Sequence, residues 1–146
     1  MATRSVKRFI GRRHEYIGVG TVWVLIQIGI GGAIGAMSRY MVGLAVSRAF
    51  GGSPFPLGVL SVNIFGSFLL GLFVVFAAQR DLSHLSPFLV VGMLGGFTTF
   101  SAFSYETVEL MERGQVGLAM TYVSLSIVCS IAALMFGQWL ARGIFS

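Results

Sequence analysis

The chain has 146 residues, of which 55% are apolar and only 10% charged, and a water-soluble fold of this length cannot hide that much apolar surface. The composition excludes the soluble domain classes and points to an integral membrane protein, in which glycine permits close helix contact and phenylalanine carries no solubility cost. The formal charge of +5 comes mostly from Arg4, Lys7, Arg8, Arg12 and Arg13. Placed ahead of the first long apolar stretch, these residues read as a cytoplasmic anchor against anionic lipid headgroups and not as a nucleic-acid surface.

Residues 1–20 are thus a basic N-terminal extension, and residues 21–142 a single transmembrane domain. A secretory signal begins in the same way, but the apolar stretch that follows is too long and three more spans come after it. The four apolar segments cover about residues 21–46, 55–78, 87–108 and 116–140. Each is long enough to cross ~30 Å of hydrocarbon as a helix. The connections are short and rich in breakers, as in Gly51-Gly52-Ser53-Pro54 and Arg113-Gly114-Gln115, so successive helices alternate in direction. An even number of spans puts both termini on one side. Basic residues near the span ends divide evenly: Arg80 and Arg142 on the terminal side, Arg48 and Arg113 on the other. A balanced count lets the core insert both ways, whereas the extension favours cytoplasmic termini. Four helices are too few to enclose a pore, so a dimer is expected.

In the first span, Gly31 and Gly35 have the small-x-x-x-small spacing of close helix packing, repeated by Gly92 and Gly96 in the third. Arg39 lies late in the first span and Glu106 late in the third. Such charges are functional suspects, although both can snorkel to an interface or pair with each other. Asn63 in the second span is costly in hydrocarbon unless it pairs, and its amide serves either as glue between helices or as a donor to an anion.

The third span contains Gly95-Gly96-Phe97-Thr98-Thr99-Phe100-Ser101-Ala102-Phe103-Ser104, a poor helix sequence in mid-membrane. Two readings stand: a helix broken at a site, with freed carbonyls lining a cavity, or an intact helix whose small residues serve packing. Phe100 and Phe103 share one helix face. They form either a core stripe or a pair of rings whose positive edges meet an anion. In the fourth span Tyr122, Ser126 and Ser130 recur every four residues as one line of hydroxyls. The only cysteine, Cys129, lies in that same apolar run and has no partner for an intrachain disulfide.

Three stretches together resemble the signature motifs of the Fluc (CrcB) fluoride channels: Gly31 to Ala36 with Arg39-Tyr40, the run from Gly58 to Gly66 with Asn63, and GGFTTFSAFSYE from Gly95 to Glu106. The resemblance spans about residues 27–140, and the third-span motif is its specific part. It implies an all-α, four-helix membrane protein with a broken third helix, assembled as an antiparallel, dual-topology homodimer. Two fluoride pores at the subunit interface and a structural sodium ion at the dimer centre are further implications. By position, the pore residues would be Asn63, Phe100, Phe103, Tyr122, Ser126 and Ser130, and the backbone carbonyls of Gly95 and Thr98 would hold the sodium. Arg39 and Glu106 match charged positions of vestibular or structural role. The implied function is passive export of fluoride across the inner membrane, which lowers its toxicity. The basic extension is the main departure from a typical member.

Other classes have specific requirements. A proton-coupled small multidrug exporter shares the size and the four spans but calls for an acidic residue deep in a helix, and Glu106 is near a span end. An enzyme is not expected: His14 and His84 read as outside the spans, no nucleophile and base share a helical face, and no nucleotide-binding motif is present. A nonconducting assembly subunit would use every one of these motifs as packing.

Overall fold

The computed structural model describes residues 19–51 and 53–145. Gly52 and the segment carrying Arg4, Lys7, Arg8, Arg12, Arg13 and His14 lie outside the described residues. Every regular element is helical: α1 (Val19–Ala49), α2 (Leu57–Gln79), a single 3-10 turn (Ser83–Leu85), a π-helical segment (Pro87–Leu94), α3 (Gly95–Phe97), α4 (Phe100–Glu112) and α5 (Val116–Phe145). Four stretches are long and apolar enough to cross a bilayer: Gly20–Ala49, Leu57–Gln79, Ser83–Glu112 and Val116–Ile144. In lipid the backbone must satisfy its own polar groups, and helices do so within one segment. The helical stretch that carries the third span starts at Ser83, and His84 lies in the 3-10 turn ahead of the π-helical segment.

Two connections are shaped by residues in the left-handed region. After α4, Gly114 (φ 74) allows Gln115 N–H to donate to the Leu110 carbonyl and Gly114 N–H to that of Met111, both at 2.9 Å. This paired closure satisfies carbonyls that the helix end would leave open. After α2, Asp81 (φ 51) takes the same role, with Leu82 N–H on the Ala77 carbonyl at 2.9 Å. Aspartate tolerates this conformation better than most residues with a side chain. Both turns are tight, and as successive spans alternate, α2 and α5 run in the same direction.

Close backbone approach holds the bundle together. A Cβ on Gly31 would lie 2.9 Å from Met93 N and 3.1 Å from Gly92 Cα, and Gly92 is pressed in return against Ile28 O and Gly31. One turn further, Gly35 meets the Met93 and Phe97 backbone, and Gly96 lies over Gly32. The spacing read as a packing signal is therefore the contact between α1 and the third span. A second seam was not read from sequence: Gly71 lies against Leu134 O and Gln138 N, and Gly137 against Phe68 O and Leu72 N, joining α2 to α5. Without a hydrophobic drive between helices in lipid, such contacts let dispersion and backbone dipoles supply the attraction. Buried side chains are few; Leu110, Ala119 and Tyr122 form a cluster flanked by Phe55, Leu60, Phe103 and Leu118.

The α2–α5 seam has no room for a branched side chain. Gly71→Val is expected to lower stability by about 1–3 kcal/mol, the range for overpacking, seen as earlier thermal loss of the monodisperse peak in detergent. Wild-type melting would show that the helices can part there at little cost.

Candidate functional site

Between α3 and α4, Thr98 (φ −75, ψ 156) and Thr99 (φ −152, ψ 121) have extended backbones. In an uninterrupted helix the Thr99 amide would reach the Gly95 carbonyl and the Ala102 amide the Thr98 carbonyl. Here Thr99 N–H donates to Asn63 Oδ1 at 2.8 Å, and Ala102 N–H donates to Thr99 Oγ1 at 3.2 Å. The carbonyls of Gly95 and Thr98 thus lose their helical donors. Thr98 fastens the preceding segment by donating its amide and hydroxyl to Leu94 O, at 2.9 and 3.0 Å.

Asn63 on α2 closes the arrangement. Its Nδ2 donates to Thr99 O at 3.1 Å while its Oδ1 accepts from Thr99 N, so one carboxamide pairs with both polar groups of one residue. The geometry resembles a strand pairing made by a side chain. One Nδ2 hydrogen remains for another acceptor. Thr99 is the residue that sequence reading overlooked. Its position immediately before a helix start is the expected one for a capping threonine, and the Ala102 bond fulfils that role.

A cavity of about 350 Å³ opens beside this junction, and its wall includes Asn63, Phe100, Phe103, Ser126 and Ser130, together with Gly95, Thr98 and Thr99. Phe100 and Phe103 stand with ring centroids 5.5 Å apart and tilted by 42°. Phe100 is 79% exposed, at the open side. Ser126 is 7% exposed, and its Oγ has no hydrogen-bond partner of normal geometry among the described residues. A buried polar atom left in this way is a place for water or an ion.

Tyr122 does not join that wall. It is fully buried, with its ring 5.4 Å from Phe103 and edge-on to Phe55 at 5.7 Å, and its hydroxyl donates to Glu106 Oε2 at 2.7 Å. Ser126 and Ser130 line this cavity, and Tyr122, one turn before Ser126 on the same helix, lies between Phe103 and Phe55. The Glu106–Tyr122 pair crosses from α4 to α5, and nothing local in the sequence announces it.

A second cavity of about 310 Å³ lies at the end where α1 finishes and α2 begins, lined by Arg39, Glu106, Ser47, Ser53, Phe55 and neighbours. Arg39 and Glu106 border it together but form no ion pair: Arg39 Nη1 points to Thr98 O at 3.5 Å, and Glu106 is held by Tyr122. The cavity carries one cationic and one anionic group within the span ends. Among the described residues, no three His, Cys, Asp or Glu side chains cluster to hold a metal ion.

These features define an all-helical, multi-pass membrane protein with a largely apolar cavity among its spans, into which a few polar groups are set. The model of the family described as CrcB-like protein, Camphor Resistance (CrcB), matches residues 26–138. The chain belongs to that family. It is similar to the "Fluoride-specific ion channel FluC" of Ruegeria sp. (strain TM1040), with 56% identity over 122 residues, covering 84% of this chain and 97% of that one. The protein of the same name from Jannaschia sp. (strain CCS1) is 62% identical over 103 residues, covering 68% and 98%. That from Caulobacter sp. (strain K31) is 42% identical over 125 residues, covering 84% and 97%.

Replacing Asn63 by leucine removes both partners of Thr99 at once. The expected cost is about 1–3 kcal/mol for each group left unpaired, measured as a drop in thermal stability in detergent that exceeds the drop for Ser130→Ala. Equal stability of the two variants would show that the Thr99 groups find other partners.

Proposed function

We propose that this protein is a fluoride-selective channel that lets fluoride leave the cytoplasm passively through the inner membrane and so lowers its toxicity. One observation carries the reading beyond family membership: the cavity gathers the Asn63 amide, two phenylalanine rings and the Ser126 hydroxyl from three spans, with no lysine or arginine among the described residues of its wall. Fluoride is small and strongly hydrated, so a pathway must offer close donors as water is removed. Conduction also requires that the ion leave again, and a fixed cation would trap it. An amide hydrogen, positive ring edges and hydroxyls attract the anion without a full charge. Hydrogen fluoride crosses membranes as a neutral acid and dissociates inside, so a membrane potential alone drives the trapped anion out.

The same reading assigns roles to the remaining residues. Asn63, Phe100, Phe103, Ser126 and Ser130 line the pore, and Tyr122 acts through its contact with Phe103. Arg39 draws anions to the vestibule that it borders with Glu106. The extended pair Thr98-Thr99 is a functional helix break in the third span. The exposure of Phe100 supports a site completed by a second copy, in an antiparallel, dual-topology homodimer with two pores. For sodium, the carbonyls of Gly95 and Thr98 are suitable in kind: hard oxygens without their helical donors, suited to an alkali cation and not to a softer metal. Two copies of the chain would double that donor set. Bound there, sodium would supply positive charge against converging carbonyl dipoles, and the chain's own contribution is to hold those carbonyls out of the helix through Asn63 and Thr99.

Purified protein in liposomes, with a potassium ionophore balancing charge, is expected to lose fluoride rapidly and retain chloride, as read by ion-selective electrodes. Flux that demands a proton gradient would favour an exporter, and no flux from verified dimer would favour a packing subunit. Phe100→Ile and Phe103→Ile are each expected to abolish fluoride efflux, roughly 10²-fold or more, with the dimer retained by size-exclusion chromatography; normal efflux in both would remove the ring edges from the pathway.

A further inference from the structure

A third cavity, of about 470 Å³, has no part in the proposed ion pathway. It is an open groove at the opposite end of the bundle from the Arg39 cavity, walled by Leu72, Phe73 and Phe76 of α2, Leu89 and Met93 of the π-helical segment, and Leu140 of α5. Its wall is almost wholly apolar. All three elements belong to membrane spans, so the groove is at hydrocarbon depth. Its size is within the range of small-ligand pockets.

The groove is also directional. Leu69, Leu72, Phe73 and Phe76 follow one face of α2 toward its C-terminal end, and the next residue on that face is Arg80. The Arg80 amide donates to the Phe76 carbonyl at 3.1 Å, so the helical path continues through this residue and puts it one turn beyond the groove. Arg80 is exposed and takes part in no ion pair among the described residues. An apolar slot that ends at a free guanidinium at the membrane boundary matches an amphiphile with an acyl chain and an anionic head.

We propose that this groove is a specific site for an anionic glycerophospholipid, with one acyl chain along Phe73, Phe76 and Met93 and the phosphate on Arg80. The site also has a structural link to the cavity beside Asn63. Leu94, 6% exposed, borders both spaces, so a chain in the groove packs against the wall of the ion pathway. The claim of lipid binding stands independently of the transported ion.

Native mass spectrometry of the purified protein with dioleoyl phosphatidylglycerol or dioleoyl phosphatidylcholine tests it. Wild type is expected to retain the anionic lipid about fivefold more strongly, the contribution of one arginine near an anionic surface. Arg80→Gln is expected to bring the two lipids to parity, and Arg80→Lys to restore much of the preference. Equal retention of both lipids by wild type, a comparison that requires no variant to fold, would overturn the proposal. So would an undiminished preference in a folded Arg80→Gln. Efficient disulfide linkage of two copies through Leu72→Cys, in a Cys129→Ser background, would also overturn it by showing that a second chain covers the groove.

Discussion

The Asn63–Thr99 pairing is the interaction on which the rest of the site depends. A helix interrupted inside a bilayer exposes amides and carbonyls that no water can satisfy, each at a cost of several kcal/mol. Asn63 answers the Thr99 amide and carbonyl with one carboxamide, at 2.8 and 3.1 Å, and the Thr99 hydroxyl answers the start of α4. What is left over is the useful part. The Gly95 and Thr98 carbonyls stay outside the helical ladder at the centre of the chain's polar region, and α4 begins at the angle that carries Phe100 and Phe103 to the cavity wall.

That arrangement needs rigid support, which the glycine contacts supply. Gly31 with Gly92, and Gly96 with Gly32, fix the first half of the third span against α1, just before the extended residues. Gly71 and Gly137 fix α2 against α5, which sets Asn63 and Ser126 on facing walls of one cavity. Helices drawn together by backbone contact cannot slide without breaking many small attractions at once. Tyr122 extends the same logic to side chains, since its hydroxyl is tied to Glu106 and its ring backs Phe103.

The two cavities differ in the charge of their walls. Among the described residues, the wall of the cavity beside Asn63 has amide, hydroxyl and aromatic groups and no cationic side chain, whereas Arg39 lines the second cavity and reaches the Thr98 carbonyl with Nη1 at 3.5 Å. A cation at an entrance raises the local concentration of anions, and neutral donors further in exchange for hydration without forming a trap. Glu106 shares the Arg39 cavity but is hydrogen-bonded to Tyr122, so the two charges have distinct partners and do not neutralise each other in a direct pair.

The sequence by itself determined the membrane class, the four spans and the close-packing faces of Gly31/Gly35 and Gly92/Gly96, because hydropathy over about twenty residues and small-residue spacing are local signals. It also marked Asn63, Phe100, Phe103, Ser126 and Ser130, since polar groups and paired rings within apolar runs stand out without knowledge of any contact. Only the tertiary structure decided what those groups do to one another. That Asn63 pairs with Thr99, 36 residues away, that the Tyr122 hydroxyl donates to Glu106, and that Gly71 meets the backbone around Leu134 are matters of which helix faces which. A helix shows the same periodicity whichever neighbour it packs against, so pairing across helices is fixed by shape and hydrogen-bond complementarity between distant segments. No local pattern encodes it.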